Sequence, residues 1–114
     1  MIRLKKELCA VLPLVLKRKW YDMIESGEKK EEYRDFTPFW QKRIENFLYL
    51  NPGKNYVVAF QRGYKKPSMW FTLYGIATRS PEFCQSMWKP KTEWGEPLGK
   101  HYAIYLCDRV ELVG

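Results

Sequence analysis

The sequence predicts an α+β fold, a compact mixed β-barrel of five to six short strands with two main helices early in the chain. Three observations point there. Apolar and aromatic residues recur at helical spacing in two stretches, Trp20–Ile24 and Trp40–Leu48. Short runs rich in β-branched and aromatic residues fill much of the remainder. At 114 residues the chain suits one domain, 1–114, large enough to bury somewhat under about 70% of its unfolded surface in a single core.

Val11–Leu16 is a near-continuous apolar run, read as a strand buried on both faces, with Pro13 placing it near an edge or a bulge. Lys17, Arg18 and Lys19 open the first helix, where the helix dipole opposes cations, a local misfit that suits phosphate holding as well as a solvated helix start. Trp20, Met23 and Ile24 give its apolar spacing, and Ser26-Gly27 is its left-handed stop. Lys30–Phe36 then alternates as a strand, putting Glu32 and Arg34 on one face and Glu31, Tyr33 and Asp35 on the other.

Thr37-Pro38 opens the second helix with a hydroxyl cap and a proline at the first helical position. Trp40, Ile44, Phe47 and Leu48 form its core-facing stripe, and Asn51-Pro52-Gly53 ends it. Tyr56–Gln61 and Met69–Thr78 read as strands joined by a basic loop, Arg62 to Pro67, with Tyr64 at its tip. Between Arg79 and Lys100 regular periodicity disappears, as in a functional loop with short helical turns in which Trp88, Lys89, Lys91 and Trp94 interleave aromatic and basic residues. His101–Leu106 closes the sheet, and Val110–Val113 adds a last short strand.

The hydrophobic fraction of 46% and aromatic fraction of 17% exclude a disordered chain despite 29% charged residues. The net charge of +7 is uneven: residues 1–41 hold nine basic and seven acidic side chains, residues 42–100 ten and four, and residues 101–114 one and two. A positive field over the middle of the chain favours a polyanionic partner, though it also serves solubility. Cys9, Cys84 and Cys107 are odd in number and widely spaced, which fits a reducing compartment and no disulfide framework. With His101 they lack the spacing of a zinc site, so no metal and no cofactor is expected. The basic start followed by Leu8–Leu16 has no small-residue cleavage site and is too short to cross a bilayer, so a cytoplasmic, non-membrane protein is expected.

Gly27 to Arg34, G-E-K-K-E-E-Y-R, concentrates the polar chemistry, with Lys29 at the turn beside Glu32 and Arg34. Gly27-x-Lys29-x-x-Glu32-x-Arg34 resembles the G-x-K-x-x-E-x-R signature of the ASCH domain, a PUA-like family of small barrels linked to RNA. The wider stretch from Leu14 to Ile44 resembles a phage- and mobile-element-associated branch of that family. Gly63-Tyr64 and Glu93-Trp94-Gly95 are similar to that branch's N-G-Y and E-W-G elements, so the resemblance spans nearly the whole chain. It implies a PUA-like pseudobarrel with a ligand cleft between the barrel and the first helix.

Two functions follow from that resemblance taken together with the residues. As a binding module for RNA or a nucleotide-like ligand, the chain would use Lys29 and Arg34 on phosphate or a base edge and Glu32 on an exocyclic amine. Trp20 or Tyr64 would stack on a base, with Lys17, Lys19, Lys65 and Trp94 completing the surface. With about four phosphate contacts to a single strand, raising salt from about 50 to 200 mM costs roughly fiftyfold in affinity. As a hydrolase on RNA or a modified nucleoside, it would use Lys29 as base or nucleophile activator, Glu32 as acid or base, and Arg34 as oxyanion stabiliser. Against catalysis, the amide-hydrolysing branch carries a threonine where Glu32 stands here, and Glu32 itself favours a charged Lys29. A third reading leaves the three groups as a surface salt-bridge set.

Overall fold

One mixed sheet of six strands organises residues 1–83 and 89–114, which the computed structural model describes. The strands are β1 (Ile2–Lys5), β2 (Cys9–Leu16), β3 (Glu31–Asp35), β4 (Asn55–Arg62), β5 (Met69–Arg79) and β6 (His101–Val113). The helices are α1 (Arg18–Glu25) and α2 (Pro38–Tyr49). The fold is the expected α+β pseudobarrel. Trp88 and Cys84 lie outside the described residues.

The long strand β6 is the spine. Along one edge it pairs with β5, and along the other with β3 in its first half, antiparallel, and β1 in its second, parallel. Beyond β5 come β4, antiparallel, and β2, parallel to β4 in register Cys9↔Asn55 through Leu16↔Arg62. The curled sheet therefore ends in β2 on one side and β3 on the other. No backbone ladder joins these two strands among the described residues. A side chain crosses the seam instead: Arg34 Nη2 donates to Val15 O at 3.0 Å.

The burial of β2 corrects its expected character. Ala10, Leu12, Leu14 and Leu16 are buried, whereas Val11, Pro13 and Val15 are exposed. An edge strand of a curled sheet has one face in the core and one in water, and Val11 and Val15 are apolar without being inward. Its edge position accommodates Pro13, as expected. Strand β1 was not expected; its residues are exposed apart from half-buried Leu4. The two short C-terminal strands expected are one continuous strand. Asp108 and Arg109 interrupt the apolar pattern where the β5–β6 register shifts near Leu73, and Asp108 N stays bonded there to Thr72 Oγ1 at 3.1 Å.

Helix α2 packs as its spacing indicates, whereas α1 turns Tyr21 into the core in place of Trp20 and Met23. Thr37 Oγ1 caps α2 by accepting from Trp40 N at 3.3 Å, and Ile44 and Phe47 are its buried residues. Helix α1 buries Tyr21 and Ile24 and leaves Trp20 and Met23 half-buried, so the indole of Trp20 is available outside the core. Among the described residues, no helix is long and apolar enough to cross a membrane.

Candidate functional site

The site is built at the end of α1. Gly27 takes a positive φ of 84°, its N–H bonds to Ile24 O at 3.1 Å, and Lys29 N closes the reversal on Met23 O at 3.0 Å. This turn sends the Lys29 side chain inward, onto the same side as the alternate residues Glu32 and Arg34 of β3. Lys29 Nζ donates to Glu32 Oε1 at 2.9 Å, and Arg34 Nη1 donates to Glu32 Oε2 at 2.9 Å. Tyr33 N also donates to Oε1 at 3.0 Å, so the carboxylate holds three donors. The opposite face of β3, as the alternation requires, carries Glu31 and the Tyr33 hydroxyl.

Lys29 is 2% exposed, which makes it one of the largest fully buried side chains in the protein. Its ammonium sits 4.4 Å from the Trp20 ring centroid and 5.3 Å from that of Tyr33. Burial pulls its pKa below the usual lysine value; the charge and hydrogen bond of Glu32 work the other way, and the Arg34 charge adds to the lowering. Glu32 thus favours the charged lysine as expected, and burial outweighs it. Of the three N–H bonds of Nζ, Glu32 takes one.

A cavity of about 310 Å3 opens beside these groups at the seam between β2 and β3. Val15, Leu16 and Lys17 form its β2 side, Glu32 to Asp35 its β3 side, and Trp20, Trp94, Gly95 and Pro97 its remaining wall. Gly95 lies against Trp20 so closely that a Cβ there would meet Trp20 Cζ2 at 2.8 Å, and its φ is +82°. Arg34 is clasped by Glu32, Tyr33 O and Val15 O, with its guanidinium 5.2 Å from the Trp40 ring centroid.

The structure thus brings together Lys17, Trp20, Lys29, Glu32, Arg34 and Trp94. Lys19 is exposed and reaches the same indole, 4.7 Å from the Trp20 centroid, without lining the cavity. Tyr64 and Lys65 are not brought to it. Tyr64 is fully exposed at the β4–β5 tip, neither in the cavity nor folded back on the sheet, and Lys65 is exposed, its carbonyl accepting from Gln61 Nε2. The base of that hairpin is fixed near the start of α1 by Gly63 N to Leu16 O at 2.8 Å and by the two-pronged Arg62–Asp22 pair at 2.9 and 3.1 Å.

Sequence reasoning missed a second polar cluster behind β3. Glu96, whose side chain is fully buried, accepts from Arg79 Nη2 at 2.8 Å and from Lys91 N at 2.8 Å, and lies 2.9 Å from His101 Nε2. Glu31 accepts from Arg79 Nη1 and the Tyr33 hydroxyl, each at 2.9 Å, and from Lys91 Nζ at 2.6 Å. Burial pushes the Glu31 carboxyl up, but the hydrogen bonds from Lys91 and Tyr33 and the charges of Lys91 and Arg79 outweigh it and hold it below the usual range. Burial and the neighbouring Glu31 carboxylate raise the Tyr33 hydroxyl well above the usual tyrosine value. His101 is fully enclosed, with its Nε2 on Glu96. No sequence signal marked this cluster, because the pairing that brings Arg79 beside His101 is set only by the fold. Among the described residues, no group of three or more His, Cys, Asp or Glu side chains is placed to hold a metal.

The course of the backbone has a counterpart among solved structures. A Tyr-to-Phe variant of ZmASCH from Zymomonas mobilis matches with a TM-score of 0.55 and 16% identity, over 87% of this chain and 70% of that one. The shared feature is the ASCH fold. A Ser-to-Ala variant of ZmASCH aligns over 92% of this chain and 71% of that one at 18% identity, with a TM-score of 0.48, too loose to build on. No family model and no curated protein matches the chain. At such identity the ASCH likeness concerns the course of the backbone, and no residue's role passes with it.

Proposed function

We propose that this chain is an ASCH-family binding module, of the phage- and mobile-element-associated branch, that takes a nucleotide-like ligand, RNA before DNA, in the seam cavity. The observation that carries the reading is the buried Lys29–Glu32–Arg34 set facing a cavity walled by two tryptophans. A cavity of about 310 Å3 is on the scale of a small-molecule site, and not of a groove that follows a strand. One base or nucleotide would enter it, with unused Lys29 N–H bonds and the Arg34 edge for its polar groups, an indole for its face and Lys17 for phosphate.

A hydrolase acting on RNA or a modified nucleoside is the second reading, favoured by the burial of Lys29 beside the cavity and its lowered pKa. The engagement of Glu32 with three donors weakens its part, because an acid or base must exchange a proton with the substrate and this carboxylate is taken up by its neighbours.

Filter binding of a single-stranded ten-nucleotide RNA, the matching DNA and the mononucleotides tests both. Binding of RNA or a mononucleotide is expected, weakened by Lys29→Met and by Trp94→Ala. Binding indifferent to salt and to both substitutions would sink the proposal. Conversion of the ligand during incubation, abolished by Lys29→Met, would move the assignment to the hydrolase.

A further inference from the structure

We infer that Glu96 is a positioning residue of the cavity, fixing the segment 91–97 as its outer wall; the inference rests on the reading of the cavity as a ligand site. The segment is a closed turn. Glu96 N and Trp94 N both donate to Lys91 O, at 3.1 and 2.9 Å, Gly95 N donates to Thr92 O at 3.0 Å, and the Glu96 carboxylate reaches back to Lys91 N. These bonds shape the turn but do not attach it to the barrel.

Attachment comes from charge. The Glu96 carboxylate joins the turn to Arg79 on β5 and His101 on β6, while Lys91 Nζ joins it to Glu31 on β3. His101 is held at both ring nitrogens, by Glu96 and by Gly99 O at 2.7 Å, and Tyr33 packs edge-on against it at 5.5 Å between centroids. On its other side the turn presents Trp94, Gly95 and Pro97 to the cavity, with Gly95 flush on Trp20.

A connection that only spanned two strands would gain nothing from a fully enclosed carboxylate, since enclosing one is costly unless every lone pair is met. Here the donors meet it, and they fix the turn from two strands. The outcome is a wall whose indole lines the same cavity as Lys17 and Lys29 with little freedom to drift, the kind of supporting shell a binding site requires. Tyr33 touches both the His101 ring and the Lys29 ammonium, so a displaced turn is felt at the triad.

The test is a nitrogen–proton spectrum of the indole groups, with Trp94 assigned through Trp94→Phe, together with filter binding of the ten-nucleotide RNA. Glu96→Gln keeps the shape and removes the charge. Its Trp94 signal is expected to move by more than a linewidth, with those of Trp40 and Trp70 in place, and its RNA affinity to fall by about tenfold. Glu96→Asp, which keeps the charge on a shorter stem, is expected to recover part of both. A folded Glu96→Gln whose Trp94 signal and affinity match wild type overturns the inference. Should Glu96→Gln fail to fold, Glu96→Asp decides, because it keeps the charge while drawing the carboxylate back from Arg79 and His101. A Trp94 signal and an affinity that both match wild type in Glu96→Asp then overturn the inference, and a moved signal with weaker binding supports it. If wild type binds no RNA, the ligand reading falls, and the indole signal alone still judges the wall.

Discussion

Lys29 Nζ and Glu32 Oε1 lie 2.9 Å apart with side chains only 1% and 4% exposed, and Arg34 closes on the other oxygen of the same carboxylate. One anion therefore compensates two cations in a largely water-free corner. Removing the anion is expected to be worse than removing one cation. Glu32→Gln leaves two positive groups facing each other and is expected to cost about 3–5 kcal/mol. Lys29→Met leaves Arg34 and Tyr33 N on the carboxylate and is expected to cost less. Urea unfolding of both variants checks the order, and a Lys29→Met less stable than Glu32→Gln would contradict it.

Gly95 and Gly27 have nearly the same backbone angle, +82° and +84°, but different surroundings. A Cβ at Gly27 meets nothing within 4 Å, whereas one at Gly95 presses on Trp20 Cζ2 at 2.8 Å. Gly27→Ala is expected to cost only the left-handed strain, about 1–2 kcal/mol. Gly95→Ala adds a collision with the indole and is expected to cost more and to weaken ligand binding as the wall retreats from Trp20. Equal thermal shifts for the two would show that the wall yields freely.

The meeting of Lys29, Glu32 and Arg34 was legible because two local rules suffice for it: a strand's period of two assigns Glu32 and Arg34 to one face, and a glycine stop returns the chain so that Lys29 joins them. Trp94 is far from them in the chain, marked out by its family-like E-W-G setting and by the basic residues interleaved with it, neither of which tells where the loop lies. Tyr64 and Lys65 show the limit of composition, since a basic tip with an aromatic looks the same whether it points at a cleft or into water. Glu96 and His101 were illegible for another reason. A lone acid in an irregular segment has no periodicity, and its burial follows from Arg79 and His101 facing each other across strands that the sequence only outlines. Strand β1 was missed because backbone pairing to β6, not side-chain burial, holds it.

The Glu31 carboxyl is held below its ordinary pKa, so its folded form binds protons less readily than its unfolded form. Its contribution to stability is therefore complete above the unfolded value near 4.5 and is lost as pH falls through the lowered folded value. Lys91 supplies much of that lowering, against the opposing effect of burial. Lys91→Met is expected to bring the folded value up toward the unfolded one and so to reduce the stability difference between neutral and acid pH. Thermal melts from pH 7 to 3 check this. Parallel curves for wild type and variant would place the stabilisation elsewhere.

Salt distinguishes a cavity ligand from a strand laid across the surface. The cations at the cavity are Lys17, Lys29 and Arg34, and Glu32 already offsets one of them. About two phosphate contacts remain, for which raising salt from about 50 to 200 mM is expected to weaken single-strand binding roughly sevenfold, in place of the fiftyfold that four contacts give. Lys65→Ala, at the hairpin tip outside the cavity, is expected to leave this slope unchanged, while Lys17→Ala, on its β2 side, is expected to lower it by about 0.7, the share of a single phosphate. A slope near the steeper value that falls with Lys65→Ala would mean that the strand continues over Tyr64 and Lys65, and that the cavity receives one unit of a longer bound chain.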